Sequence, residues 1–150
     1  MEINTLYGEP TETAIVNYAI KKNKDKDSLY ILMPRISEIP FDSTRKMMTT
    51  IHKIGNKYRI ITKGAPDVII EKCSNMMNEQ EVKDMKNSNL KMAQKALRVI
   101  AVGYKDLDSL PSKIDTDTIE KDLIFVGLIG MIDPPREGVK EAVETCRKAG

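Results

Sequence analysis

Met47 to Lys63, MMTTIHKIGNKYRIITK, decides the fold. Met47 to Ile54 and Lys57 to Lys63 are strand-like runs on either side of Gly55-Asn56, a pair that tolerates positive φ and predicts a tight hairpin. The second run ends at Lys63-Gly64-Ala65-Pro66-Asp67. Pro66 suits a first helical turn, where its missing N–H costs nothing, and Val68, Ile69, Cys73 and Met76 continue an apolar stripe. Two strands linked by a hairpin and followed by a helix point to an antiparallel sheet.

Before the hairpin, Thr11 to Lys22 reads as a helix opened by Gly8-Glu9-Pro10-Thr11, with Ile15, Val16, Ala19 and Ile20 at helical spacing. A charged loop, Asn23 to Ser28, leads to strand character at Leu29 to Met33 and Ile36 to Ile39. Pro34 and Pro40 suit an edge or a bulge there. After the hairpin, Asn78 and Glu81 form a capping-box pattern ahead of Val82, Met85, Leu90, Ala93 and Leu97, which predicts a second helix. Val99 to Tyr104 and Leu123 to Ile132 are the most apolar runs and are expected as central strands. Val139, Ala142, Val143 and Cys146 mark a last amphipathic helix with Gly150 as its cap. Cys73 and Cys146 lie on apolar stripes and are expected to be buried. The sum is an α+β fold, a largely antiparallel sheet flanked by helices.

Composition narrows the function classes. The chain has 150 residues, 24 basic against 22 acidic, for a net charge of +2, too balanced for a surface that tracks nucleic acid. Its two cysteines form no CxxC pair, so no zinc site or disulfide framework is indicated. The longest apolar run, Leu123 to Ile132, falls short of the roughly 20 residues that a spanning helix needs. His52, the sole histidine, has no nucleophile or carboxylate partner at a telling spacing and reads as a strand residue. The nine methionines fall mostly at apolar positions, as core packing requires.

Several segments carry chemistry. At Lys63-Gly64-Ala65-Pro66 a cation ends a strand, a glycine lets the backbone approach a ligand, and a helix begins with free N–H groups. Phe41, one of two phenylalanines, sits in the polar stretch Pro40-Phe41-Asp42-Ser43-Thr44-Arg45-Lys46-Met47-Met48, where an exposed ring beside cations suits stacking on a purine. Glu12, in Gly8-Glu9-Pro10-Thr11-Glu12, offers an acceptor for an amino group, or favours a helix N-terminus. Arg98, in Ala96-Leu97-Arg98-Val99-Ile100-Ala101, has a fork suited to phosphate. No GxxxxGKS or GxxxxGKT loop occurs.

In this order, and followed by Asp133-Pro134-Pro135-Arg136, these segments resemble the nucleotide-binding domain of P-type cation-transporting ATPases, most closely the calcium-transporting branch. The resemblance covers nearly the whole chain. It implies an ATP-binding domain in which Phe41 stacks on adenine and Glu12 accepts from its amino group. Lys63 would line the adenine pocket, Gly64 and Ala65 would form its floor, and Met48 would be a further nucleotide contact. Lys46 and Arg98 would meet phosphate or ribose, while Arg45 is expected to be structural or solvated. Ser43 stands where the calcium-pump pattern often carries an arginine, which removes one expected phosphate contact.

The family's DKTGTLT, TGD and GDGxND segments, which carry the phosphorylated aspartate and the metal chemistry, do not occur in the chain, so no residue here is expected to be catalytic. The expected division is a nucleotide-binding domain at 1–132, a hinge at Asp133, Pro134, Pro135 and Arg136, and the first helix of a phosphorylation domain at 137–150. Mg2+ would accompany the nucleotide, held mainly by the phosphorylation domain. The expected partners are ATP and the phosphorylation, actuator and transmembrane domains of the same pump, on the cytoplasmic side of a membrane. An exposed sheet edge is expected to favour dimers. Two other readings compete: a small phosphohydrolase using Asp133, and an interaction domain that does not bind nucleotide. Against the first, prolines follow Asp133 and no second acidic cluster supplies magnesium.

Overall fold

The computed structural model describes residues 9–132 and 138–149, so the four positions expected to form a hinge, Asp133 to Arg136, together with Gly8 and Gly150, lie outside the described residues. Helix α1 (Pro10–Lys21) opens on Pro10 at its first turn, and α2 (Lys26–Leu32) follows. Strands β1 (Arg35–Asp42), β2 (Met47–Ile54) and β3 (Lys57–Gly64) lead into α3 (Pro66–Cys73). A single 3-10 turn at Ser74–Met76 joins α3 to α4 (Glu79–Gln94). Then come β4 (Arg98–Leu107), the short α5 (Thr116–Ile119), β5 (Ile124–Met131) and α6 (Val139–Ala149).

The five strands form one antiparallel sheet in chain order, β1-β2-β3-β4-β5. The hairpin is continuous from Met47↔Gly64 to Ile54↔Lys57, with Gly55 at a φ of +56° in the two-residue turn. That left-handed backbone is open to glycine without a Cβ penalty. The capping box at α4 is complete: Asn78 Oδ1 accepts from the Glu81 N–H, and Glu81 Oε2 accepts from the Asn78 N–H.

Three expectations change. Leu29 to Met33 is largely helix α2 rather than strand, because Asp25 Oδ1 accepts from the N–H groups of Asp27 and Ser28 at 2.9 Å and starts a helix ahead of the apolar run. β4 lies inside the sheet as expected, but β5 is an edge strand with Ile124 and Val126 exposed. Apolarity alone did not distinguish them, since β5 pairs on one side only. Cys146 is exposed, as are Val139 and Val143 on the same stripe of α6. An apolar stripe records what a helix can bury, not that it has done so.

The period of two along a strand divides the sheet into two faces. Met47, Thr49 and Ile51 on β2 face the core beside Thr62 and Ile60 on β3 and Ala101 on β4. Ile69 and Cys73 of α3, with Leu123, close one end of that core, and Ile119 of α5 packs on Ile51 and Ile60 at the other. Their neighbours Met48, Lys63 and Ile100 therefore face the opposite way, toward α1. β1 is the other edge, irregular between Arg35 and Ser37 and again between Ile39 and Asp42, where Pro40 falls.

Candidate functional site

Between α1 and the second face of the sheet lies a cavity of about 230 Å³. Glu9, Thr11 and Glu12 line it from the start of α1, Phe41 from the end of β1, Met48 from β2, Lys63 and Gly64 from β3, and Arg98 and Ile100 from β4. Six of the eight binding positions expected from sequence thus meet here: Glu12, Phe41, Met48, Lys63, Gly64 and Arg98. Lys46 and Ala65 are not in the wall. They adjoin its floor, where the Ala65 N–H donates to the Lys46 carbonyl at 2.9 Å.

Strand register explains the gathering. Met48 and Lys63 are direct cross-strand partners, and Lys63 in turn pairs with Val102. A slip of one residue would send these side chains into the core and bring Met47 out. Gly64 ends β3 with no room for a side chain, since a Cβ there would stand 2.6 Å from the Met47 Cβ and closer still to the Lys46 carbonyl oxygen. The glycine is required by the close approach of β3 to the turn before β2.

The charged groups are organised. Lys63 Nζ donates to Glu12 Oε1 at 2.8 Å, bridging the sheet and α1. That hydrogen bond, with the lysine charge behind it, holds the Glu12 carboxyl below the usual carboxylate range. Arg98 Nη1 donates to Thr11 Oγ1 at 3.0 Å. Phe41 is 63% exposed. The wall is thus apolar at Phe41, Met48 and Ile100, and charged at Glu12, Lys63 and Arg98. Such a cavity can take a flat ring that carries amino donors and an anionic tail.

Other residues shape the site without having been singled out from sequence. Asp42 Oδ1 accepts from the N–H groups of Thr44 at 3.0 Å and Arg45 at 2.8 Å, and its carbonyl accepts from Lys46 N–H at 2.7 Å. This folds the turn between β1 and β2 and leaves Lys46 at a φ of +55°. Asp42-Ser43-Thr44 is a legible signal for such an Asp-capped turn. Arg45 is structural, bound to buried Glu120. Nothing in the sequence joins positions 75 residues apart. A second cavity of about 590 Å³ lies between α1 and β5, lined by Ala14, Ile15, Tyr18 and Lys21 opposite Leu128 to Met131. Among the described residues, Lys21 is the only charged side chain in its wall.

His52 is accounted for within the fold: Nδ1 lies 2.9 Å from the Met33 carbonyl oxygen and Nε2 lies 2.9 Å from Thr50 Oγ1. Cys73 is buried and its thiol pKa is pushed up to about 11 by desolvation, so it is a core residue and a poor nucleophile. No helix among the described residues is long and apolar enough to cross a membrane.

Comparison with known proteins agrees with this architecture. Residues 2–138 match the family model described as P-type ATPase, cytoplasmic domain N. Calcium-transporting ATPase 1 of Bacillus cereus is 40% identical over 151 residues, covering 95% of this chain and 17% of that protein. The calcium-transporting ATPase of Bacillus subtilis is 39% identical over 156 residues, covering 97% of this chain and 17% of that protein. The human sodium/potassium-transporting ATPase subunit alpha-4 is 33% identical over 160 residues, covering 95% of this chain and 16% of its own length. The chain therefore spans about a sixth of the length of these relatives. Sheet, cavity and family match converge: the chain belongs to the N-domain family of P-type cation-transporting ATPases, as an ATP-binding domain similar to those of the calcium-transporting branch.

Proposed function

We propose that the cavity between α1 and the sheet binds ATP by its adenine, with Phe41 stacked on the base and Glu12 accepting from the amino group. The observation that carries this reading is the meeting of an exposed aromatic ring, a carboxylate and two cations from separate segments around one apolar cavity. Lys63 borders the base, Gly64 and Ala65 form the floor beside it, and Met48 lies next to Lys63 on the same sheet face. Arg98 and Lys46 stand toward ribose and phosphates. Stacking of this kind contributes about 1–3 kcal/mol per base.

Binding led by the base leaves the γ-phosphate projecting from the domain. In the longer pump it is presented to an aspartate of a separate phosphorylation domain, and its transfer drives cation transport across the membrane on whose cytoplasmic side this domain stands. Calcium is the favoured cation, on the strength of the calcium-transporting relatives. The cavity carries two carboxylates, Glu9 and Glu12, and Glu12 is already engaged by Lys63, a poor donor set for a divalent ion. Mg2+ would therefore arrive with the nucleotide and take its protein ligands from the phosphorylation domain. In this reading residues 1–132 are the nucleotide-binding domain, 133–136 the hinge and 137–150 the first helix of the next domain.

Calorimetric titration tests the assignment. The chain binds ATP, ADP and AMP without steady phosphate release, and Phe41→Ala and Lys63→Ala each weaken all three. Unchanged titrations in both variants would remove the site from this cavity, and steady turnover by the unmodified chain would contradict the division of labour.

A further inference from the structure

The binding reading makes no use of Glu120, a carboxylate with none of its surface exposed. Arg45 Nη1 donates to it, 2.6 Å from both Oε1 and Oε2, and Thr49 Oγ1 donates to Oε1 at 2.7 Å. Thr49 Oγ1 and Thr62 Oγ1 are 2.9 Å apart. Because the Thr49 proton is committed to the carboxylate, the Thr62 hydroxyl donates to Thr49. The network is fully satisfied and spans the turn before β2, strands β2 and β3, and the end of α5.

A buried ion pair is weak evidence for stability, since apolar residues of similar volume often serve as well. Its geometry here does something an apolar pair cannot. The second nitrogen of Arg45, Nη2, donates to the Pro40 carbonyl at 2.7 Å, and Pro40 immediately precedes Phe41. The Phe41 ring is largely exposed, so packing does not aim it; the backbone that carries it must. That backbone is held by Arg45 at Pro40 and by Asp42 at Thr44 and Arg45.

We infer that Arg45, anchored on buried Glu120, is a positioning residue for the Phe41 ring, acting through the Pro40 carbonyl. This deepens the ATP-binding reading and rests on it. Arg45 is not a phosphate ligand: its guanidinium is committed to Glu120 and Pro40, and Glu120 bonds Thr49 on the core face, while Lys63 and Arg98 line the cavity on the other. The arrangement ties affinity for the base, rather than for the phosphates, to a charge pair outside the cavity wall.

Arg45→Lys keeps a cation for Glu120 but lacks the planar fork that also reaches Pro40. Glu120→Gln keeps an acceptor for Thr49 and loses the charge. In Arg45→Lys, amide exchange at Thr44 accelerates, and adenosine, ADP and ATP all weaken by the same factor, about tenfold, within the range that stacking contributes. Glu120→Gln acts in the same direction, and the double variant is no worse than the more severe single one, as for residues that act as a unit. Should Glu120→Gln not fold, Arg45→Lys carries the test alone.

Losses that grow from adenosine to ADP to ATP would make Arg45 a phosphate contact and overturn the inference. So would a lowered Tm with unchanged adenosine affinity, the mark of a purely structural role. If the unmodified chain binds no adenosine, the ATP reading itself fails; the clamp is then judged by exchange at Thr44, and unchanged protection there refutes it.

Discussion

At the scale of single residues, the proposed binding mode makes separable claims about Phe41 and Glu12. Phe41 is largely exposed, so Phe41→Ala forfeits little packing. It should weaken ATP by about 1–3 kcal/mol in calorimetry while leaving the denaturation midpoint essentially in place. Glu12 accepts a hydrogen bond from Lys63 Nζ, which lowers its pKa. The sign follows from linkage: the pair's contribution is fully present above the unfolded glutamate value of about 4.3 and is lost as pH falls through the lower folded value. An NMR titration of the Glu12 carboxyl should find its midpoint below that of an ordinary glutamate, and Lys63→Met should raise it. Acid should weaken adenine binding in the same window, because a protonated Glu12 loses acceptor capacity. Of the two thiols, exposed Cys146 should react with a disulfide reagent in the native chain, while buried Cys73 reacts only on unfolding.

At the scale of elements, the approach of β3 to the turn before β2 is the tightest contact at the site. Gly64→Ala places a Cβ 2.8 Å from the Met47 Cα and against the Lys46 carbonyl. It should destabilise the chain by about 1–3 kcal/mol in urea denaturation and weaken nucleotide as the floor shifts. Asn78→Ala, which breaks the α4 capping box on an element outside the cavity, should cost about 1 kcal/mol of stability and leave ATP affinity unchanged. The contrast separates damage to the fold from damage to the site.

The same elements show what could be read in advance. The hairpin, the capping box and the helix start at Pro66 were legible because each is written in adjacent residues. Met48 and Lys63 were expected at the candidate site through motif resemblance, and the register shows why they face together. Leu29 to Met33 misled because an aliphatic run fits strand or helix alike, and the Asp25 cap decided it. The Arg45–Glu120 pair was invisible, because its partners are joined by folding alone.

Taken whole, the molecule is an antiparallel sheet with a core on one face and the cavity of about 230 Å³ on the other. A central ledge of β2, β3 and β4 serves both, so residues alternate between core and cavity along each strand. That economy ties the cavity wall to strand register. The second cavity, between α1 and β5, is larger and also has an exposed ring, Tyr18, but among the described residues it lacks the paired charges that Glu12, Lys63 and Arg98 bring to the first. The two cavities give the account its most direct test, a 1H-15N NMR titration of the chain with ATP. Shifts should centre on Glu12, Phe41, Met48, Lys63 and Arg98 and leave Leu128 to Met131 unmoved; no shifts at all, or shifts centred on the α1–β5 groove, would contradict it.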